Sequence, residues 1–152
     1  LKSLINESKS LVTEATRSMI GIEEPNGKIT ATYCHYDGYP EGVGKMLKKF
    51  YNNPSLVKQL IKLGKAGIST LGTKIGKKHD FDMPYDEKEK LGYTTFYGRD
   101  RGEKGNMQSK YKDMQDYEDN FDSRSGAEYG YVWSLKDKKW HYFSSRGHQG
   151  IL

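Results

Sequence analysis

The sequence lacks the features that cross-link a chain covalently or insert it into a membrane. It has one cysteine, Cys34, so an internal disulfide is excluded, as suits a reducing compartment or an assembly that does not rely on disulfides. No apolar run approaches the roughly 20 residues of a membrane span, and we expect no membrane association. Hydrophobic residues make up 34% of the 152 residues, which favours one domain with a modest core plus an appendage.

Negative charge is missing from one stretch of the chain. Residues 42–79 contain nine lysines and no carboxylate, whereas residues 80–122 contain twelve carboxylates and seven basic side chains. A segregated field of this kind steers polyanions or an acidic partner protein toward the basic stretch. We therefore predict a polyanion- or partner-binding surface formed by Lys45, Lys48, Lys49, Lys58, Lys62, Lys65, Lys74, Lys77 and Lys78. A solvated helical face with no partner is the simpler alternative.

Aromatic side chains compensate for the low hydrophobic content. The chain has twelve tyrosines, five phenylalanines and two tryptophans. Each buried aromatic removes roughly 150–250 Å² from water, so a small core needs few of them. Tyrosines close to the lysines, namely Tyr36, Tyr39 and Tyr51, could instead stack on nucleic-acid bases.

Residues 1–18 form a separate unit in this interpretation. Their apolar side chains recur at helical spacing, which predicts a short amphipathic helix that needs a surface to lie on. That surface is either the protein's own domain or another protein, to which the helix would dock. The docking residues would be Leu1, Leu4, Ile5, Leu11 and Val12.

Residues 19–145 are predicted to form a single domain that starts with a β-hairpin and a helix pair. Asn26-Gly27, between two alternating runs in residues 19–36, is a strong hairpin signal when both turn positions have positive φ. Apolar stripes predict helices over 43–51 and 54–63, the second capped by Asn53 and ended by Gly64. The lysines would occupy the outer face of both helices.

The second half of the domain predicts strands on either side of a third helix. We expect a strand at 93–97, a charged loop at 98–105, a helix at 111–121 and a hairpin of two strands at 129–135 and 139–145. Residues 146–152 look like a tail. The predicted fold class is α+β, with an antiparallel sheet of hairpins and two to three helices on one face.

Candidate catalytic residues are scattered along the chain. If the protein is an enzyme, the candidates are Cys34, His35, Asp37, His79, Arg99 and Arg101. Cys34 and His35 are neighbours in a strand and point to opposite faces, so they cannot act as a nucleophile–base pair. No metal-ligand spacing, P-loop or GxGxxG occurs, and we predict neither a metal nor a cofactor.

Two segments resemble bacteriophage proteins. The Tyr33-Cys34-His35-Tyr36-Asp37-Gly38-Tyr39-Pro40 core, with Arg99-Asp100-Arg101-Gly102-Glu103, resembles a small uncharacterised domain of tailed phages, which brings no established activity with it. Residues 1–15 are similar to the prohead-targeting propeptides of T-even-type phage head proteins, which are cut after an aliphatic-x-Glu pattern. That resemblance makes Glu7 and Glu14 candidate processing sites.

The sequence is compatible with three functions. The favoured one is a phage accessory protein that acts by binding in the virion and the host cytoplasm. Its N-terminal helix would dock on capsid or scaffold protein, its basic face would contact DNA or an acidic protein, and a role against host defence would extend this. The alternatives are a small hydrolase or transferase acting on a phosphorylated ligand, and a sequence-independent nucleic-acid-binding module.

Overall fold

The computed structural model describes residues 15–152, and within this range the chain forms one mixed β-sheet. The predicted docking residues and both processing sites lie outside the described residues. Residues 15–17 have no regular structure. The eight strands of the described part are β1 (Ser18–Glu23), β2 (Ile29–Cys34), β3 (Ile68–Thr70), β4 (Thr95–Phe96), β5 (Gln108–Tyr111), β6 (Tyr129–Ser134), β7 (Lys139–Ser144) and β8 (Gln149–Ile151).

The strand order is β4-β3-β2-β1-β6-β7-β8, and β5 pairs with the first part of β2. Most neighbours are antiparallel, as predicted, but β1 runs parallel to β6 and β2 runs parallel to β3. The sheet is therefore mixed rather than built from hairpins alone. The parallel β1–β6 pair joins the two predicted hairpins across more than 100 residues.

The helices begin and end close to their sequence signals. A π-helical turn at Pro40–Gly44 runs into α1 (Lys45–Phe50), and α2 (Pro54–Leu63) follows, with the Asn53 side chain accepting a hydrogen bond from the Leu56 amide at 2.8 Å. The remaining helices are α3 (Tyr85–Leu91), α4 (Tyr97–Arg101) and α5 (Met114–Ser125). None of the described helices is both long enough and apolar enough to cross a bilayer.

Helices cover both faces of the sheet, which corrects the prediction of helices on one face. Ile20 and Ile22 of β1 pack in one cluster with α1 and α2 residues such as Leu47. Met19 points to the other face and packs with Tyr117 of α5. Successive strand residues face opposite sides, so β1, whose first five residues are all buried, contributes side chains to both clusters.

Several local predictions differ from the structure. The β1–β2 turn closes with a hydrogen bond from the Gly27 amide to the Glu24 carbonyl, and within it Gly27 alone has positive φ, so Asn26 is not left-handed as expected. The predicted strand at 93–97 shortens to β4, and the predicted loop at 98–105 starts with α4. The predicted tail contains β8, which pairs with β7.

Candidate functional site

A cleft opens where β2 and β3 end. Because the two strands are parallel, their carboxyl ends meet at the same edge of the sheet, the usual place for ligands in sheets with parallel strands. Tyr36 and Asp37 follow β2, residues 71–73 follow β3, and α3 supplies Tyr85 to another wall. The cleft has a volume of about 570 Å³, within the range of roughly 300–1,000 Å³ that small-molecule sites occupy.

A second cleft of about 320 Å³ continues the first along α1. The two share six lining residues, Tyr36, Asp37, Met46, Thr70, Leu71 and Tyr85. The second cleft reaches Tyr39 and two lysines of α1, Lys45 and Lys49. We call the two clefts together the groove. The groove is open to solvent and is continuous through the six shared residues.

Exposed tyrosines are concentrated in the groove. Tyr36, Tyr39 and Tyr85 are 46%, 37% and 69% exposed, and they are the tyrosines among the exposed large hydrophobic side chains of residues 15–152. All three line the groove. The hydrogen bond to Asp37 raises the pKa of Tyr39, and burial raises the pKa of Tyr85, so both phenols are neutral at pH 7.

The loop that carries Tyr36 and Asp37 is held in an uncommon conformation. Asp37 has a φ of 56°, the left-handed region that non-glycine residues rarely adopt. Its carbonyl accepts from the Val43 amide at 2.8 Å, and its carboxylate accepts from the Tyr39 hydroxyl at 3.0 Å. A Cβ on Gly42 would lie 2.3 Å from the Asp37 carbonyl oxygen, so this close turn requires glycine there.

Two cations at the other end of the groove rest on aromatic rings. The Arg101 guanidinium lies 4.5 Å from the Phe81 ring centre and 4.8 Å from that of Tyr97, and it is paired with Glu103 at 2.6 Å. The Lys88 ammonium lies 5.1 Å from the Phe81 ring centre and donates to the Phe81 carbonyl. Both contacts are cation–π geometries that fix a long side chain in place.

A buried ion pair precedes Arg101 in α4. The Asp100 side chain is fully buried, and it accepts from the Phe96 amide at 2.8 Å and the His79 amide at 3.1 Å. Arg99 donates to both of its oxygens, at 2.9 and 3.2 Å. The other three donors of Arg99 go to backbone carbonyls of Ile75, Gly76 and Thr94.

All five N–H groups of Arg99 are therefore used inside the protein. Arg99 therefore has no donor left with which to hold a phosphate, as the alternative of an enzyme acting on a phosphorylated ligand would require. Arg99 instead joins the 75–76 segment, Thr94 and α4. His79 is tied to the same network, since its ring bonds the Thr95 hydroxyl at 3.1 Å.

Cys34 lies away from this network, buried in the core. Its side chain is fully buried among apolar residues, and burial raises the pKa of the thiol to about 12. A thiol with that pKa is protonated at pH 7 and is a poor nucleophile. His35 bonds the Tyr33 hydroxyl at 2.6 Å rather than Asp37. Burial lowers the pKa of His35, which keeps the ring neutral.

The six catalytic candidates thus do not form one constellation. His79 and Arg99 meet at Asp100, Asp37 and Arg101 line the first cleft, and Cys34 and His35 have separate surroundings. Within residues 15–152, no three His, Cys, Asp or Glu side chains are grouped closely enough to hold a metal ion. The predicted sites do not include the groove residues Phe81 and Tyr85. Both are aromatic side chains within a mostly charged stretch, and this position was the one sequence feature that could have identified them.

The nine predicted lysines are all exposed. The ion pairs among the described residues are His79–Asp100, Arg99–Asp100, Arg101–Glu103 and His141–Asp137, and none of them uses one of these lysines. Tyr51, a predicted base-stacking residue, is instead buried, and its hydroxyl donates to the Gly72 carbonyl at 2.8 Å.

Comparisons of the chain with protein-family models, curated proteins and solved structures gave no match.

Proposed function

We propose that this protein is a bacteriophage accessory protein that acts by binding, associated with the virion head, and that its lysine-bearing helices contact DNA. The observation that carries this proposal is the set of nine exposed lysines, five of which lie on α1 and α2, and none of which forms an ion pair with a carboxylate within residues 15–152. An acidic protein surface is the second candidate for the same contact.

The helix pair separates its charge from its apolar side chains. Leu47 of α1 and Leu60 of α2 are fully buried in the core, while Lys48 and Lys58 on the same helices are exposed. Neither lysine forms an ion pair with a carboxylate within residues 15–152. Attraction to a polyanion then acts over about 8 Å at physiological salt.

The geometry of the catalytic candidates supports binding over catalysis. The most nucleophilic candidate, Cys34, is buried with a raised pKa, and Arg99 has all its donors committed inside the fold. A hydrolase or transferase on a phosphorylated ligand would need an accessible nucleophile beside a base, as well as free phosphate-binding donors.

Salt-dependent binding of a fluorescent duplex DNA tests the proposal. Affinity is expected to fall steeply between 50 and 200 mM salt, because neutralised phosphates release counterions. The triple variant Lys48→Gln, Lys58→Gln, Lys62→Gln should bind more weakly, with a salt slope shallower by about 0.9 for each lysine that contacted a phosphate. A matched triple, Lys28→Gln, Lys136→Gln, Lys139→Gln, removes the same charge at the hairpin turns.

Equal affinity of the two triple variants would contradict the proposal, because total charge rather than the helical surface would then set binding. Wild-type affinity that does not change with salt would contradict it as well. Binding of the wild type to an acidic protein, but not to DNA, would replace DNA by the second candidate.

The virion association has its own test. Mass spectrometry of purified particles should detect the chain, and deletion of residues 1–14 should remove it from particles while the domain still folds, since β1 begins at Ser18. Particles without the wild-type chain would refute this part. A role against host defence, the extension of the same proposal, predicts that phage lacking the gene plate less efficiently on hosts that carry the targeted system.

A further inference from the structure

The groove is lined by exposed tyrosines as well as by cations, whereas the exposed side chains of the lysine-bearing helices include cations but no aromatic ring. We infer that it binds single-stranded nucleic acid, with bases stacked on its exposed tyrosines and phosphates held by its cations. This inference deepens the proposed function and rests on DNA or RNA being the polyanion that the protein contacts.

The tyrosines supply the stacking surfaces. Tyr36, Tyr39 and Tyr85 keep between 37% and 69% of their surface in water although they line a depression. Exposed aromatic side chains gathered at one place mark a binding site. A tyrosine ring stacks on any base, since every base has a π-face, and this is how non-specific single-strand binders hold their ligand.

The shape of the groove favours a strand over an isolated nucleotide. The first cleft is large enough for one flipped base, and the second continues from it past Tyr36 and Tyr85 along α1. A ligand that fills both must be extended. A duplex fits poorly, because its bases are stacked on each other and present no free face to a tyrosine.

Cations stand at both ends of the groove. Lys45 and Lys49 line the second cleft, and Lys88 and Arg101 line the first. Lys45 and Lys49 also belong to the lysine-bearing helices, so the basic surface continues into the groove. A phosphate backbone that enters over α1 would meet ammonium groups first. It would meet Arg101 last, whose guanidinium rests on two aromatic rings and bonds Glu103 through one of its nitrogens.

Three carboxylates also line the groove, Asp37, Glu41 and Glu89. They repel phosphates and so favour the placement of bases, rather than backbone, beside them. A carboxylate accepts hydrogen bonds from the exocyclic amino groups of bases. Asp37 lies between Tyr36 and Tyr39 in the sequence, and its carboxylate is held by the hydrogen bond from the Tyr39 hydroxyl.

Fluorescence anisotropy with a labelled 12-nucleotide single strand tests the inference. Tyr36→Ala and Tyr85→Ala should each weaken binding by about 5- to 150-fold, the range seen for loss of one base–aromatic stack. Tyr36→Phe and Tyr85→Phe retain the ring and should bind within about twofold of the wild type. Met107→Ala, an exposed apolar side chain outside the groove, is the matched control.

The outcomes separate this inference from the proposed function. If both alanine variants hold the single strand as tightly as the wild type, while the lysine triple variant loses DNA affinity, the groove inference is wrong and the proposed function stands. If the single strand binds no more tightly than a mononucleotide, or if phenylalanine variants lose as much as alanine variants, stacking of an extended strand is refuted. An acidic peptide that binds the groove in place of the strand also overturns it.

Discussion

Replacement of the buried Asp100 should be among the most damaging single changes in this protein. Asp100→Ala removes a fully buried carboxylate that accepts four hydrogen bonds, two from Arg99 and two from backbone amides. The Arg99 guanidinium, whose side chain is 14% exposed, would keep its charge without a counterion. Removal of one partner of a buried ion pair costs roughly 3–5 kcal/mol of unfolding free energy.

Urea denaturation monitored by fluorescence of the two tryptophans measures this loss. With a denaturant slope of about 2 kcal/mol/M, the midpoint should fall by roughly 1.5–2.5 M. Asp100→Asn keeps one acceptor oxygen and should lower the unfolding free energy by less than Asp100→Ala does. Asp137→Ala, which breaks the exposed pair with His141, is the control and should cost about 1 kcal/mol or less.

A mutant cycle checks that the loss comes from the unpaired charge. If it does, Arg99→Met should add little to Asp100→Ala, and the two effects should differ from additivity by roughly 0.5–3 kcal/mol. A loss below about 1 kcal/mol for Asp100→Ala alone would refute the reasoning, because the pair would then be hydrated rather than buried.

Three further predictions concern the fold. Burial raises the pKa of Cys34 to about 12, above the unfolded thiol's pKa of about 9, so the unfolding free energy should fall as pH rises from about 9 to about 12. This fall should be shallower in Cys34→Ala by up to about 1.4 kcal/mol per pH unit, measured by denaturation at each pH. An equal slope in the two proteins would contradict this. Gly76→Ala should lower the melting temperature by several degrees, because φ is +68° and a Cβ would lie 2.3 Å from the Tyr93 ring. An unchanged melting temperature would contradict both the backbone strain and the clash. Asn53→Ala should cost about 1 kcal/mol in urea denaturation, whereas Asn53→Ser, which restores a capping oxygen to the Leu56 amide, should cost less.

Local sequence signals predicted a large share of the elements. The Asn53-Pro54 start and Gly64 end of α2 are as predicted, and so are the β1–β2 and β6–β7 hairpins. These features depend on dihedral preferences, capping and side-chain periodicity within about ten residues. Such preferences act wherever the segment lies in the fold.

The charged stretch from His79 to Lys90 shows what a local pattern leaves undetermined. Its composition indicates loops with at most one short element, and the structure has α3 starting at Tyr85, with Phe81 and Tyr85 lining the groove. A helix of seven residues has no buried stripe to detect, and here it carries no buried residue at all. Bonds to segments outside the helix hold it instead: Lys88 donates to the Phe81 carbonyl, and the Gly92 carbonyl at its C-terminal end accepts from the Lys74 amide at 3.1 Å.

The sequence alone determined the segregation of charge, the solitary cysteine, and the helices and hairpins whose signals are short-range. The tertiary structure decided which strands pair in parallel, which face of the sheet α5 covers, and which arginine forms the buried ion pair with Asp100. It also decided that exposed tyrosines from one loop and one helix line the same groove. These depend on the free energy of burying surfaces that lie tens of residues apart along the chain, and no local pattern encodes which distant surface each will meet.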